Sequence, residues 1–221
     1  QNQGPAGPLG ADQRNGGEEG PGAEWGPEVS DRASEWLRQN IRDEIYDQVY
    51  YHYWDLREHM EALQQDHSGI MRLSTIGRSV DGELDPFNDY GKLLLAEVTN
   101  LSDTTPKPQI LIDGGHHGNE QLGMEVAMLL LDYLVTEYEE DAWVKEFVDS
   151  HDIFIFPMVN VDGNTRDTRA NSNGVDLNRN YPFEWDGAGS GPAREPVLSA
   201  YGELFLPPAF PLYLSTDHYT L

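Results

Sequence analysis

No cysteine occurs in the 221 residues, which removes disulfides, thiolate nucleophiles and cysteine-held metals and leaves His, Asp and Glu as the available ligand types. Positive charge is scarce: 14 Lys and Arg stand against 39 Asp and Glu, a formal net charge of -25. Nucleic-acid phosphates would be repelled by such a chain, so nucleic acid is not expected as a partner. Long apolar runs are also absent, and the 38% of hydrophobic residues is ordinary for a protein that stays in water, so no membrane partner is expected either. The acidic balance itself reads as a solvated surface rather than as a preference for basic substrates. The chain begins with Gln1 rather than Met, and an exported, processed protein is the expectation.

Gly and Pro are concentrated at the start, where few apolar residues accompany them. Such a composition cannot offset chain entropy by burial, so residues 1–28 are expected to be a disordered tail and residues 29–221 a single domain. A helical pattern starts near Ser30, with Trp36, Leu37, Ile41, Ile45 and Val49 at helical spacing, and a second carries Trp54, Leu56, Met60 and Leu63 up to the breaker Ser68-Gly69. His52, His59 and His67 fall in this region and read as surface or partly packed side chains. Short strand-like runs follow at Met71–Ile76, Leu93–Val98, Gln109–Ile112 and Ile153–Phe156. Between the last two, Glu120–Tyr138 predicts a helix with Val126, Leu129, Leu130, Tyr133 and Leu134 on its buried face. Strand, helix and strand in that spacing indicate an α/β unit, whose ligands usually bind at the carboxyl ends of the strands.

Two polar blocks carry the chemistry. The first, Gly114-Gly115-His116-His117-Gly118-Asn119-Glu120, follows the apolar run Ile110–Ile112. A histidine and a carboxylate three residues apart can reach one metal ion if the strand ends and a helix begins between them, and the glycine pair lets the backbone turn off the strand. Taken alone, His-x-x-Glu is a weak pattern, and His116 competes with His117 as the ligand. The second block runs from Arg166 to Pro182 and contains Asp176-Leu177-Asn178-Arg179-Asn180. Its Arg179 offers a planar fork suited to a carboxylate, with the Asn178 amide beside it.

These blocks in this order, with Ile76–Gly82 and Phe156–Gly163, resemble the zinc carboxypeptidase family from about Tyr46 to the end of the chain. The resemblance implies a three-layer α/β/α sandwich around a mixed, mostly parallel twisted sheet, and a Zn2+ cofactor held by His117 and Glu120. His116 then becomes a neighbour. A third ligand is implied at His218, where Tyr219 replaces the family's small residue and the competing reading is a terminal surface histidine. The resemblance gives Arg169 the task of stabilising the oxyanion, with Arg166 as the fallback, and gives Asn178 and Arg179 the terminal carboxylate of the substrate. Ile76–Gly82 matches an early hairpin, and Val161 stands where the family's strand-end segment usually has proline.

The implied reaction is removal of the C-terminal residue from peptides or proteins, whose C-termini are the expected partners. The family's general base is a glutamate beyond the third ligand, and no glutamate of these 221 residues matches it, so this chain alone is expected to be inactive. An aspartoacylase-type amidohydrolase of N-acyl amino acids, a cell-wall peptide hydrolase of the same family, and a non-catalytic zinc- or peptide-binding module are the alternatives. Ile76–Gly82 and Arg169 favour the peptidase over the amidohydrolase.

Overall fold

The structure, a computed structural model, describes residues 27–42, 49–85, 87, 89–180 and 212–215. Most of the expected tail and the candidate ligand His218 lie outside these residues. In chain order the elements are α1 (Pro27–Asn40), α2 (Tyr53–Asp66), β1 (Met71–Arg78), α3 (Val80–Leu84), β2 (Lys92–Val98), β3 (Gln109–Asp113), α4 (Leu122–Thr136), α5 (Ala142–Ser150), β4 (Asp152–Phe156), α6 (Val161–Arg166), a 3-10 turn (Leu177–Arg179) and β5 (Leu212–Ser215).

The strands form one mixed sheet in the order β1-β2-β4-β3-β5. β1 and β4 both run antiparallel to β2, while β3 runs parallel to β4 and to β5. Parallel neighbours need a crossover, which α4 and α5 supply between β3 and β4. On β2 four successive residues, Leu93, Leu94, Leu95 and Ala96, are buried. Because successive side chains of a strand point to opposite faces, both faces of the sheet are covered, as a three-layer α/β arrangement requires. At the centre Ile153 and Ile155 of β4 are fully enclosed, and truncating either to alanine should cost about 2–5 kcal/mol.

The four strand expectations hold, each element extending one or two residues further at one end. The early hairpin is realised as antiparallel β1 and β2, whose connection folds into α3, capped by the Ser79 hydroxyl, which accepts from Gly82 N. Two expectations need correction. The first helix ends at Asn40, and Val49 lies outside it with half its surface exposed; Ile45 is outside the described residues. On α4 Tyr133 and Leu134 are buried as expected, but the rest of the buried face runs through Met124, Ala127, Met128, Leu131 and Val135, whereas Val126 is exposed and Leu129 and Leu130 are only partly covered. The helix is apolar nearly all round, so periodicity could not choose the face that tertiary packing buries.

One charge is deeply buried in α4. Glu125 accepts from the Tyr51 backbone N–H at 2.6 Å and from Arg42 Nη2 at 3.1 and 3.3 Å. Burial pushes its carboxyl pKa up, against the pull of these partners. The contact joins the α1–α2 connection to α4, and further along the same helix Trp36 of α1 packs edge-on against Tyr133.

His59 of α2 gives the fold a pH dependence. Its Nε2 lies 2.6 Å from Asp132 Oδ1 on α4, and that hydrogen bond raises the imidazole pKa against the opposing effects of burial and Arg42. A raised folded-state pKa means stabilisation that is complete below the unfolded value of about 6.5 and is lost as pH rises through the folded value. Thermal melts of wild type and His59→Asn should therefore differ most near pH 5.5 and converge in the alkaline range. A difference that widens with pH would contradict the pairing.

Candidate metal centre

β3 and β4 end side by side, and their continuations stay paired. Gly114 N donates to Phe156 O at 3.0 Å, Val159 N to Gly114 O at 3.0 Å and Asn160 N to Gly115 O at 2.8 Å. Gly115 turns the chain off the strand in the left-handed region, at φ 68°, which bears out the need for glycine there. The chain then makes a tight turn in which Glu120 N donates to His117 O at 3.1 Å. Both side chains of the His-x-x-Glu pair therefore precede α4, which starts at Leu122. The helix begins after the pair and not within it.

From the other side, residues 169 to 176 fold back on themselves. Asn171 N donates to Val175 O at 3.0 Å, and Asn171 Oδ1 accepts from the N–H groups of Asn173 and Val175, each at 3.0 Å. Gly174 permits the turn with φ 76°. An asparagine side chain that imitates backbone in this way favours a closed loop, and the closure sets Arg169 next to Asp176.

Four side chains then meet in a cycle. His117 Nδ1 faces Glu120 Oε2 at 2.8 Å and its Nε2 faces Asp176 Oδ1 at 3.0 Å. Arg169 donates from Nε to Asp176 Oδ2 at 2.8 Å and from Nη1 to Glu120 Oε1 at 2.7 Å. His117 is buried, Asp176 largely so, while Glu120 and Arg169 are 37% and 43% exposed. Burial alone would raise the Asp176 pKa, but the Arg169 hydrogen bond and the charges of His117 and Arg169 outweigh it and hold the carboxyl below its usual range. A neutral imidazole carries one proton and cannot donate to two carboxylates at once. In a neutral ring only one of the two contacts is an N–H···O hydrogen bond, and the other nitrogen presents its lone pair to a carboxylate.

Three of the expected site residues thus belong to the cycle: His117 and Arg169, each of which contacts Glu120, and Glu120 itself. Asn178 and Arg179 lie in the 3-10 turn that follows Asp176. Arg179 is exposed, with its Nη1 donating to Asn178 O at 3.0 Å. Arg166 does not join the cycle; its Nη2 bonds Asp81 Oδ2 at 2.6 Å. His116 is buried, 3.6 Å from Asp113 Oδ1 through its Nδ1, on the core side of the loop. Among the described residues no group of three or more His, Asp or Glu side chains is arranged to hold a metal ion. Sequence reasoning assigned no task to Asp176. The signal was available, since a metal-bound imidazole normally has a carboxylate or carbonyl on its other nitrogen and Asp176 stands in the same motif as Arg179.

The turn from His117 to Glu120 has no room to spare. A Cβ on Gly118 would lie 1.9 Å from the carbonyl carbon of Gly163 and 2.2 Å from Asn164 N, both backbone atoms of α6. Gly118→Ala should destabilise the protein by about 3 kcal/mol or more, read by urea unfolding. A loss below about 0.5 kcal/mol would show that the two backbones are not in contact.

The zinc carboxypeptidase sequence profile matches residues 56–203. Mouse carboxypeptidase M is 31% identical over 142 residues, 60% of this chain and 31% of that protein. The zinc carboxypeptidase of Saccharothrix mutabilis subsp. capreolus is 27% identical over 150 residues, 60% of this chain and 33% of that protein. The chain spans about a third of the length of these two relatives. Bovine thrombin-activatable fibrinolysis inhibitor, solved in complex with tick carboxypeptidase inhibitor, superposes with a TM-score of 0.58 at 21% identity, over 77% of this chain and 61% of that one. Carboxypeptidase A from Helicoverpa armigera gives 0.54 at 19%, over 64% and 36%. At such identities the structures speak for the fold, which is α/β with the same mixed sheet. The profile match takes in more than half of the chain and both polar blocks, and on that ground this chain belongs to the zinc carboxypeptidase family.

Proposed function

We propose that the protein is a zinc-dependent carboxypeptidase, releasing the C-terminal residue of peptides or proteins, with His117 and Glu120 as zinc ligands. The observation that carries this reading is the double carboxylate contact of His117. Asp176 is held ionised and is the natural acceptor for Nε2–H, which leaves the Nδ1 lone pair directed toward Glu120. That edge, one nitrogen and one carboxylate oxygen, suits a borderline cation such as zinc. His218 is the third ligand in this reading. When bound, zinc supplies Lewis acidity toward a carbonyl and an acidified water.

The chain's own groups supply the rest. Arg169 is the oxyanion donor, because its guanidinium sits at the rim of the cycle and its ion pairs there are exposed and weak enough to be exchanged for a substrate oxygen. Asn178 and Arg179 hold the terminal carboxylate, the arginine through a charge-assisted fork. Among the described residues the carboxylates of the cycle are Glu120 and Asp176, and both already have tasks. In this reading the described residues contribute metal binding and substrate anchoring, and none of them has the task of general base.

Zinc binding is tested by metal content after dialysis. One zinc per chain is expected, falling to near zero in both His117→Ala and Glu120→Ala; full retention by the two variants would remove the assignment. The anchor is tested by calorimetry with paired peptides ending in a free acid or an amide. Loss of a charge-assisted hydrogen bond is worth about 1.5–3 kcal/mol, so Arg179→Ala should lose about ten- to a hundredfold of the preference for the acid. An unchanged acid-to-amide ratio in the variant would place the anchor elsewhere.

A further inference from the structure

Asn160 stands just beyond β4, is 2% exposed, and uses every polar group it has. Its N–H donates to Gly115 O at 2.8 Å and its C=O accepts from Asn164 N at 2.9 Å. The side-chain Oδ1 accepts from Gly163 N at 2.9 Å. Its Nδ2 donates to two carbonyls, His116 O and Arg169 O, each at 3.1 Å. The first carbonyl belongs to the residue before His117, and the second belongs to the arginine that bridges Glu120 and Asp176.

We propose that Asn160 is a positioning residue of the metal centre: one buried amide holds the ligand turn and the Arg169 segment in register, so that the two halves of the cycle meet. The proposal rests on reading the cycle as a metal centre, although the junction itself does not. No other side chain of this size offers one acceptor and two donors in a plane. A carboxylate in its place would set an oxygen against two carbonyl oxygens and lose both hydrogen bonds. Gly163 makes the reach possible, since a Cβ there would lie 2.5 Å from Asn160 Nδ2 and 2.8 Å from Ala170 O. The same Gly163 is what Gly118 packs against, so the ligand turn is fixed by shape on one side and by the amide on the other.

The test separates the amide bridge from the helix cap that Asn160 also provides. Asn160→Ser keeps a good capping oxygen for Gly163 N but is too short to reach the two carbonyls; Asn160→Asp keeps the length and loses the donors. Ser79→Ala is the control, removing the cap of α3. Two quantities are read: the zinc dissociation constant by chelator competition, and amide hydrogen exchange of the metal-free protein in segments 115–120 and 168–171. Asn160→Ser should weaken zinc about tenfold and speed exchange in both segments, Asn160→Asp at least as much. Ser79→Ala should lower Tm and leave both quantities unmoved. Wild-type zinc affinity in Asn160→Ser, or equal weakening by Ser79→Ala, overturns the proposal. If the wild type itself takes up no zinc, the metal reading fails and exchange alone decides: faster exchange in both segments of Asn160→Ser upholds the junction, and unchanged exchange overturns it.

Discussion

Parallel pairing of β3 with β4 delivers two chain ends to one place, and the backbone hydrogen bonds continue past the strands through Gly114, Gly115, Val159 and Asn160. Every later feature of the site depends on that extension. It carries His117 out on one strand and α6 on the other, close enough that only glycine fits at position 118. A crossover helix pair is what makes the two strands parallel, and α4 begins two residues after Glu120. The helix that completes the fold thus also limits where the carboxylate can stand. Core packing and ligand placement are consequences of the same connection.

Within the cycle, electrostatics and exposure divide the labour. The imidazole is buried and Asp176 largely so, so their hydrogen bond is partly shielded from water and fixes the ring orientation. Glu120 and Arg169 sit at the rim, each more than a third exposed, where an ion pair contributes little net stability. A rigid inner pair with an exchangeable outer pair is what a centre needs if it must bind a cation and then a substrate oxygen. The formal charge of -25 says nothing of this. It is a property of the surface, while the cycle matches two carboxylates with one guanidinium and an imidazole.

Much of this could be read from the chain, and the failures share a cause. β2, β3 and β4 announced themselves as short apolar runs, and Gly115 as the residue that must turn off β3. The His117 and Glu120 pair and Arg169 followed from the family resemblance, and the structure links all three through Glu120. What stayed hidden depends on contacts distant in sequence. Nothing local marks Glu125 as buried, because its partner Arg42 is 83 residues away. Asp176 acquires meaning only through His117, 59 residues before it. Asn160 lay inside a segment that was noticed for its strand-end position, yet the carbonyl of His116 that it holds is 44 residues distant. The misplaced face of α4 has a different origin: with apolar residues all round, local pattern carries no phase.

Arg169 joins these scales. Its guanidinium spends two hydrogen bonds on Glu120 and Asp176, while its own carbonyl is held by Asn160. The backbone anchor is buried with the amide, and the side chain is exposed. Exchange of the side-chain partners therefore need not disturb the backbone that positions them. If Arg169 turned its fork to an incoming carbonyl oxygen, Glu120 and Asp176 would each lose a cationic partner, and a metal ion on the His117 edge would offset that loss for Glu120. Asp176 would keep the imidazole N–H. In the structure Arg169 bridges both carboxylates of the cycle; under the proposed function a cation on the His117 edge would take over part of that task and release the fork for a substrate oxygen.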